Sequence, residues 1–148
     1  MADEKQVNRL TWGRVDEWNQ WREQNPDAVI DLTRANLLGV GAPLDLNGVN
    51  LAGANLYDAD LRGADLSNAD LSNADLREAD LLAVNLTGTK LDGANLSHAR
   101  LYSAILVDLD LRATDLSEAI LQDALLTNVQ VSDEQKEILR RFNVCIDD

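Results

Sequence analysis

The sequence places a leucine at every fifth position over more than half of its length. Each fifth residue from Leu46 to Leu126 is leucine, and Val131 continues the series. On an α-helix five residues advance about 500°, so these leucines would scatter around the axis. On a flat strand an odd spacing would send successive leucines to opposite faces. Only a chain that bends once in every five residues brings all of them to one interior.

The positions around each leucine follow a second pattern. If the leucine is position i, residue i−2 is usually Ala, residue i−1 is usually Asp or Asn, and i+1 and i+2 are mostly small or polar. A small residue at i−2 and a large one at i can share each inner wall. Asp, Asn, Ser and Gly favour the tight turns that must join the walls. The pattern therefore predicts a solenoid with polar corners.

Residues 64–68 (Ala-Asp-Leu-Ser-Asn) and 69–73 (the same five residues) closely resemble the motif of the pentapeptide-repeat proteins. The resemblance implies an all-β solenoid, namely a right-handed quadrilateral β-helix with four repeats in each 20-residue coil. Two further units, residues 30–34 and 35–39, precede the main array, so twenty units predict about five coils. Residues 18–26 also resemble the leader that precedes the repeats in some cyanobacterial members of this family.

The spacing of the leucines breaks once, because Leu37 and Leu46 are nine residues apart. Residues 40–43 (Val-Gly-Ala-Pro) are interpreted as a surface bulge between coils, with a local binding loop as the alternative. The expected organisation is an N-terminal helical cap at residues 1–29, the β-helix at residues 30–131, and a C-terminal helical cap and tail at residues 132–148.

The first segment should cover the open first coil, since a solenoid exposes its apolar interior at both ends. Residues 11–24 predict a helix that ends at the Asn25-Pro26 pair. Four apolar side chains fall on one side of this helix: Trp12, Val15, Trp18 and Trp21. We interpret this side as a lid on the first coil, and an aromatic binding surface is the alternative.

The last segment predicts a second cap. Ser132 followed by Gln135 matches a capping box that begins a helix extending to about Phe142. Ile138, Leu139 and Phe142 would form its apolar side and close the last coil.

Four outward positions near the C-terminal end break the polar pattern. They are Ile105, Val107, Ile120 and Leu125. A cluster of this kind usually has a cover. Residues 144–146 (Val-Cys-Ile) could fold back over it, or it could form a homodimer seam or a site for another protein. The chain is therefore expected to be a monomer, or a homodimer through its C-terminal region.

The net charge of −13 and the pI of about 4.3 oppose direct binding to nucleic acid or to anionic membranes. Some family members resemble duplex DNA in width and charge and bind type II topoisomerases. The resemblance thus admits an acidic DNA mimic that inhibits or protects a DNA-binding enzyme. Asp and Asn at position i−1 also have a local turn role, however, so their number alone does not establish mimicry.

No residue pattern in the sequence indicates catalysis. His98 is the single histidine and should stack between Glu78 and Glu118, where two carboxylates and one imidazole on a convex surface make a poor metal site. No phosphate loop or nucleophile motif is present, and a Leu/Ala interior leaves no substrate cleft. We therefore expect no catalytic residue, cofactor or metal, and no enzyme activity.

The single Cys145 cannot form an internal disulfide, so no oxidising compartment is required. The first residues lead into no apolar signal segment, and no run of 18 apolar residues is present. These features predict a cytoplasmic protein. The function they favour is a noncatalytic protein–protein interaction scaffold with a partner that the sequence does not identify. The DNA mimic and a structural spacer without a specific partner are the alternatives.

Overall fold

The computed structural model describes residues 2–142, which form a column of coils joined by parallel β-bridges. On one side, Asp45 pairs with Asp65, Asp65 with Asn85, Asn85 with Ile105, and Ile105 with Leu125. Each step advances 20 residues, so one coil contains four five-residue units. The chain between residues 30 and 130 therefore forms a four-sided β-helix of five coils, as the sequence predicts.

We number the four sides of the β-helix as faces 1 to 4 in chain order. Each face is a stack of five-residue units, which we call its rows, and each row is named by its i−1 residue. Face 1 has the rows Asp31, Asn55, Asp75, Asn95 and Asp115, and face 2 has the rows Asn36, Asp60, Asp80, Arg100 and Ile120. Face 3 has the rows Asp45, Asp65, Asn85, Ile105 and Leu125, and face 4 has the rows Asn50, Asp70, Lys90, Asp110 and Gln130. Two longer strands, β1 (Ile105–Asp110) and β2 (Leu125–Gln130), pair in parallel around the corner from face 3 to face 4.

The interior consists of the i and i−2 side chains. Leu66 and Ala64 are both fully buried, and most of their equivalents along the column are also buried. Threonine takes the alanine position twice, and its hydroxyl is bonded each time. Thr89 Oγ1 donates to the Leu66 carbonyl at 2.7 Å, and Thr114 Oγ1 donates to the Leu91 carbonyl at 3.0 Å. These polar groups are therefore buried without losing their hydrogen bonds.

A β-turn forms each regular corner of the helix. In the unit around Leu66, the Ala69 N–H donates to the Leu66 carbonyl at 3.0 Å, and Asn68 has φ 57°. Asparagine and glycine tolerate this left-handed region best. The preceding Asp65 carboxylate accepts the Ser67 N–H at 2.9 Å. The same hydrogen bond recurs along the column, so the predicted turn role of Asp and Asn is confirmed.

Residues 40–43 form a bulge inside the first coil, between faces 2 and 3. The prediction that it lies between coils is wrong, because only two units precede it and a coil needs four. Asp31 pairs with Asn55, 24 positions on, whereas Asp45 pairs with Asp65, 20 positions on. The bulge folds back tightly on Gly39, where a methyl group would overlap the Ala42 carbonyl oxygen.

The N-terminal cap consists of two helices, α1 (Glu4–Trp12) and α2 (Val15–Gln24), instead of the predicted single helix over residues 11–24. Gly13 separates them. Its N–H donates to the Arg9 carbonyl, and a side chain at this position would overlap that oxygen. The sequence signal of the break, one glycine, is weaker than the apolar spacing that favours a continuous helix.

The break removes Trp12 from the lid. Trp12 is 75% exposed, so its predicted place on the covering face is wrong. Trp18 is fully buried, and Trp21 is half-buried with its ring centre 5.3 Å from that of Trp18. The lid interpretation is therefore confirmed for Trp18 and Trp21.

The cap also supplies hydrogen bonds that a preceding coil would make. On face 4, the Asn19 amide accepts the Asn50 N–H at 2.8 Å, and Trp18 Nε1 donates to the Asn50 carbonyl at 2.8 Å. Arg22 Nη2 donates to the Ala52 carbonyl at 3.0 Å. The edge of the first coil on this face is thus paired with side chains of α2.

The C-terminal cap is helix α3 (Asp133–Arg140), which begins with the predicted capping box of Ser132 and Gln135 and ends two residues before Phe142. Leu139 is buried, while Ile138 and Phe142 pack partly against the core. Gln135 Nε2 donates to the Thr114 carbonyl at 2.8 Å. Residues 144–146, a predicted cover for the outer apolar cluster, lie outside the described residues.

We expect Trp18→Ala to lower the free energy of unfolding by about 3–5 kcal/mol, because it empties a fully buried site and leaves the Asn50 carbonyl unpaired. Trp12→Ala is the matched control and should change it by less than about 0.5 kcal/mol. Urea unfolding followed by circular dichroism measures both. Equal effects of the two substitutions would contradict the lid.

Candidate interaction surface

Most outward acidic side chains are engaged within their own repeat unit. Besides the turn hydrogen bonds, three arginines each form a bidentate ion pair with the aspartate two positions earlier. These pairs are Arg62 with Asp60 at 2.7 Å, Arg77 with Asp75 at 2.7 Å, and Arg112 with Asp110 at 2.6 Å. They lie on faces 2, 1 and 4, so much of the acidity of these faces is neutralised where it arises.

The pairing changes the titration of these carboxyl groups. The Arg112 side chain hydrogen-bonds Asp110 and lowers the pKa of that carboxyl from its ordinary 3.8 to about 2. Arg62 and Arg77 lower the pKa of Asp60 and Asp75 in the same way. A lowered pKa in the folded state means that the ionised form stabilises the fold.

Face 3 differs from the other three faces because its rows carry no Lys or Arg. In the rows of face 3 nearest the N-terminal cap, the Asn47 amide donates to the Ser67 hydroxyl, and that hydroxyl donates to Asp65. Asn85 Nδ2 also donates to Asp65, at 3.2 Å, while Asn85 Oδ1 accepts from the Thr87 hydroxyl at 2.7 Å. The result is a polar ladder of short side chains along the axis.

The two rows of face 3 nearest the C-terminal cap are apolar at their centre. Ile105 and Leu125 are direct bridge partners and are 37% and 55% exposed. Val107, half-buried, lies beside them and faces Thr127. We call Ile105, Val107 and Leu125 the face-3 patch.

The fourth predicted interface residue, Ile120, lies on a different side. It is half-buried on face 2, where it pairs with Arg100. The structure therefore brings three of the four predicted residues onto one face. The 20-residue period already separates Ile120 from the other residues, because residues 105 and 125 share a column and residue 120 does not.

The sequence pattern did not predict some other exposed apolar side chains. Leu82 on face 2 is 44% exposed, and Val40 in the bulge is 83% exposed. Leu82 occupies position i+1, where the motif varies most, so its leucine carried little signal. Val40 could be placed only once the bulge was seen to lie at the open end of the helix.

His98 lies on the outward corner of face 1, in the predicted column with Glu78 and Glu118. It lines a shallow groove of about 350 Å³ with Asp58, Glu78, Arg100 and Ile120. Within residues 2–142 there is no group of three or more His, Cys, Asp or Glu side chains that could hold a metal ion. No helix in this part of the chain is both long and apolar enough to cross a membrane.

A four-sided β-helix built of tandem five-residue units defines a solenoid repeat protein. This chain belongs to the pentapeptide-repeat family: the profile of pentapeptide repeats matches it in eight copies, at residues 45–81, 79–117 and 94–133. No curated protein matches the sequence.

Two solved pentapeptide-repeat structures resemble the chain. The first is alr5209 from Nostoc Pcc 7120, with 34% identity, a TM-score of 0.56, and coverage of 62% of this chain and 87% of that one. The second is AT2G44920 from the Arabidopsis thaliana thylakoid lumen, with 26% identity, a TM-score of 0.53, and coverage of 75% and 79%. The predicted family and the right-handed quadrilateral β-helix are confirmed.

We expect Arg112→Ala to raise the pKa of Asp110 from about 2 toward 3.8, because the arginine side chain is the main cause of the lowering. The pair stabilises the fold fully above about pH 4, and this contribution is lost as the pH falls toward 2. Carboxyl titration by NMR measures the pKa. Arg100→Ala is the control and should leave Asp110 unchanged; an unshifted Asp110 in Arg112→Ala would contradict this origin.

Proposed function

We propose that this protein is a noncatalytic interaction scaffold that presents face 3 to a protein partner. The observation that carries the proposal is the face-3 patch, where exposed isoleucine and leucine occupy positions that the motif gives to Asp or Asn. Membership of the pentapeptide-repeat family, with its packed interior and continuous outer faces, supports a role in binding.

The turns of the solenoid do not account for the patch. At the equivalent position Asp65 accepts the Ser67 N–H and supports the turn. Ile105 and Leu125 cannot make this hydrogen bond, and they leave apolar surface in water. A local choice that disagrees with the rest of the fold is expected at functional sites. Recognition of a partner gives these residues a role that the solenoid itself does not require.

The side-chain composition of face 3 also suits contact with another protein. The face carries no long basic side chain, and Asn, Ser and Thr continue below the patch. An apolar centre beside a polar surround is the usual arrangement of a protein interface. The partner is either a second copy of this chain, which would give a homodimer through its C-terminal region, or another protein.

The two alternatives have weaker support. Duplex DNA presents regular unpaired charge, whereas Asp60, Asp75 and Asp110 are each chelated by arginine. A structural spacer gives no reason for the exposed Ile105 and Leu125.

We expect Leu125→Asp to abolish partner binding without unfolding the protein. The new carboxylate restores the motif and can accept the Thr127 N–H, so the free energy of unfolding should change by less than about 0.5 kcal/mol. Leu82→Asp on face 2 is the matched control. Sedimentation of the wild type and both variants tests the homodimer, which Leu125→Asp should convert to a monomer.

If the wild type is a monomer, the same proteins serve as baits in a native cell extract. A partner of the scaffold should be retained by the wild type and Leu82→Asp and weakened at least about 10-fold by Leu125→Asp. The absence of both self-association and a Leu125-sensitive partner would favour the spacer.

A further inference from the structure

The first coil leaves part of its backbone edge unpaired on faces 2 and 3. In the next coil the Asp60 N–H donates to the Ala35 carbonyl, and the Asp60 carbonyl accepts the Leu37 N–H. The corresponding groups of the first coil are the N–H and carbonyl of Asn36 and of Asp45. Within residues 2–142 none of these four groups has a hydrogen-bond partner.

The helical cap covers only the other half of this edge. On face 1 the Asp31 N–H donates to the Gln6 amide at 2.9 Å, and the Asp31 carbonyl accepts the Asp3 N–H at 2.8 Å. On face 4, α2 pairs the edge at Asn50 in the same manner. The cap therefore pairs faces 1 and 4 and leaves faces 2 and 3 open.

A groove of about 420 Å³ runs along the open half. Val7, Thr11 and Trp12 of α1 line it together with Asn36, Leu38, Val40 and Asp45 of the first coil. Trp12 and Val40 are 75% and 83% exposed. The groove thus combines unpaired backbone groups, which can pair with one more strand, with two exposed apolar side chains.

The charge around the groove favours a basic ligand. Its lining includes Asp45 and contains no Lys or Arg. Neither Asp45 nor Asp65 above it forms an ion pair within the described residues. The exposed indole of Trp12 can also stack with an ammonium or guanidinium group. A second copy of this chain fits poorly, because each copy carries a net charge of −13.

We propose that the groove binds an extended, basic peptide segment of a partner protein by β-augmentation. The peptide backbone pairs with Asn36 on face 2 and, after bending as the coils do, with Asp45 on face 3. An apolar side chain packs against Trp12 or Val40, and Lys or Arg side chains face Asp45. Helix α1 forms one wall of the groove.

The probe is a phage-displayed library of random 12-residue peptides, selected on the full-length protein. We expect enrichment of peptides that alternate apolar with basic residues and lack acidic ones. Binding of the best peptide, followed by fluorescence anisotropy, should weaken at least 10-fold in Trp12→Ser, whose Tm stays at the wild-type value because Trp12 packs against little.

A pair of variants tests the backbone contact. Asn36→Ala removes the side chain but keeps the N–H, whereas Asn36→Pro removes both. Each loses the turn contact to Leu38, so the difference between them reports the N–H donor. We expect Asn36→Pro to bind the peptide about 3- to 10-fold more weakly than Asn36→Ala. Amide exchange at Asn36 and Asp45 should slow in the wild type when peptide is bound.

Three results would overturn the proposal. A library that yields no Trp12-dependent binder would do so, as would bound peptide that leaves amide exchange at Asn36 and Asp45 unchanged. A wild-type dimer that Trp12→Ser dissociates would assign the groove to a second copy. Leu125→Asp should bind the peptide as the wild type does, so this site and face 3 succeed or fail separately.

Discussion

Backbone pairing between each residue and its equivalent one coil further on is the interaction on which the molecule depends. No single coil encloses its leucines, since each is closed above and below by its neighbours. The Asp65 N–H reaches the coil before it, at Leu44, and the Leu66 N–H reaches the coil after it, at Asn85. The terminal coils lack one neighbour each, so the caps must supply both apolar cover and hydrogen bonds. Trp18 supplies both with one side chain, whereas in the C-terminal cap Leu139 is the apolar cover and Gln135 donates the hydrogen bond.

The outer surface separates residues that maintain the turns from residues that are free to vary. A carboxylate such as Asp65 accepts a turn N–H, so its charge follows from the fold. In Asp110 the arginine two positions on neutralises that charge as well. Acidic composition is therefore weak evidence for any partner of a solenoid of this kind. The informative positions are those where the turn contact is given up, such as Ile105 and Leu125.

Most of the fold could be predicted because every unit repeats the same signal. The five-residue spacing specified the interior, the corners and the stacking, and three of the four predicted interface residues fall on one face as the 20-residue period requires. The errors arose where the chain is not repetitive. A single residue, Gly13, divides the N-terminal helix and turns Trp12 outward. The open edge at Asn36 could not be foreseen, because it depends on which faces the cap reaches.

The bulge at residues 40–43 shows that the circumference of a coil is not fixed. The first coil takes four additional residues between two of its sides, and the bridges resume at Asp45 in the regular period. All four bulge residues are exposed, so the extra chain displaces nothing from the interior. Longer insertions should be accommodated here at a modest cost in loop entropy. The column could thus carry a grafted loop or an inserted domain at this point while its repeats keep their register.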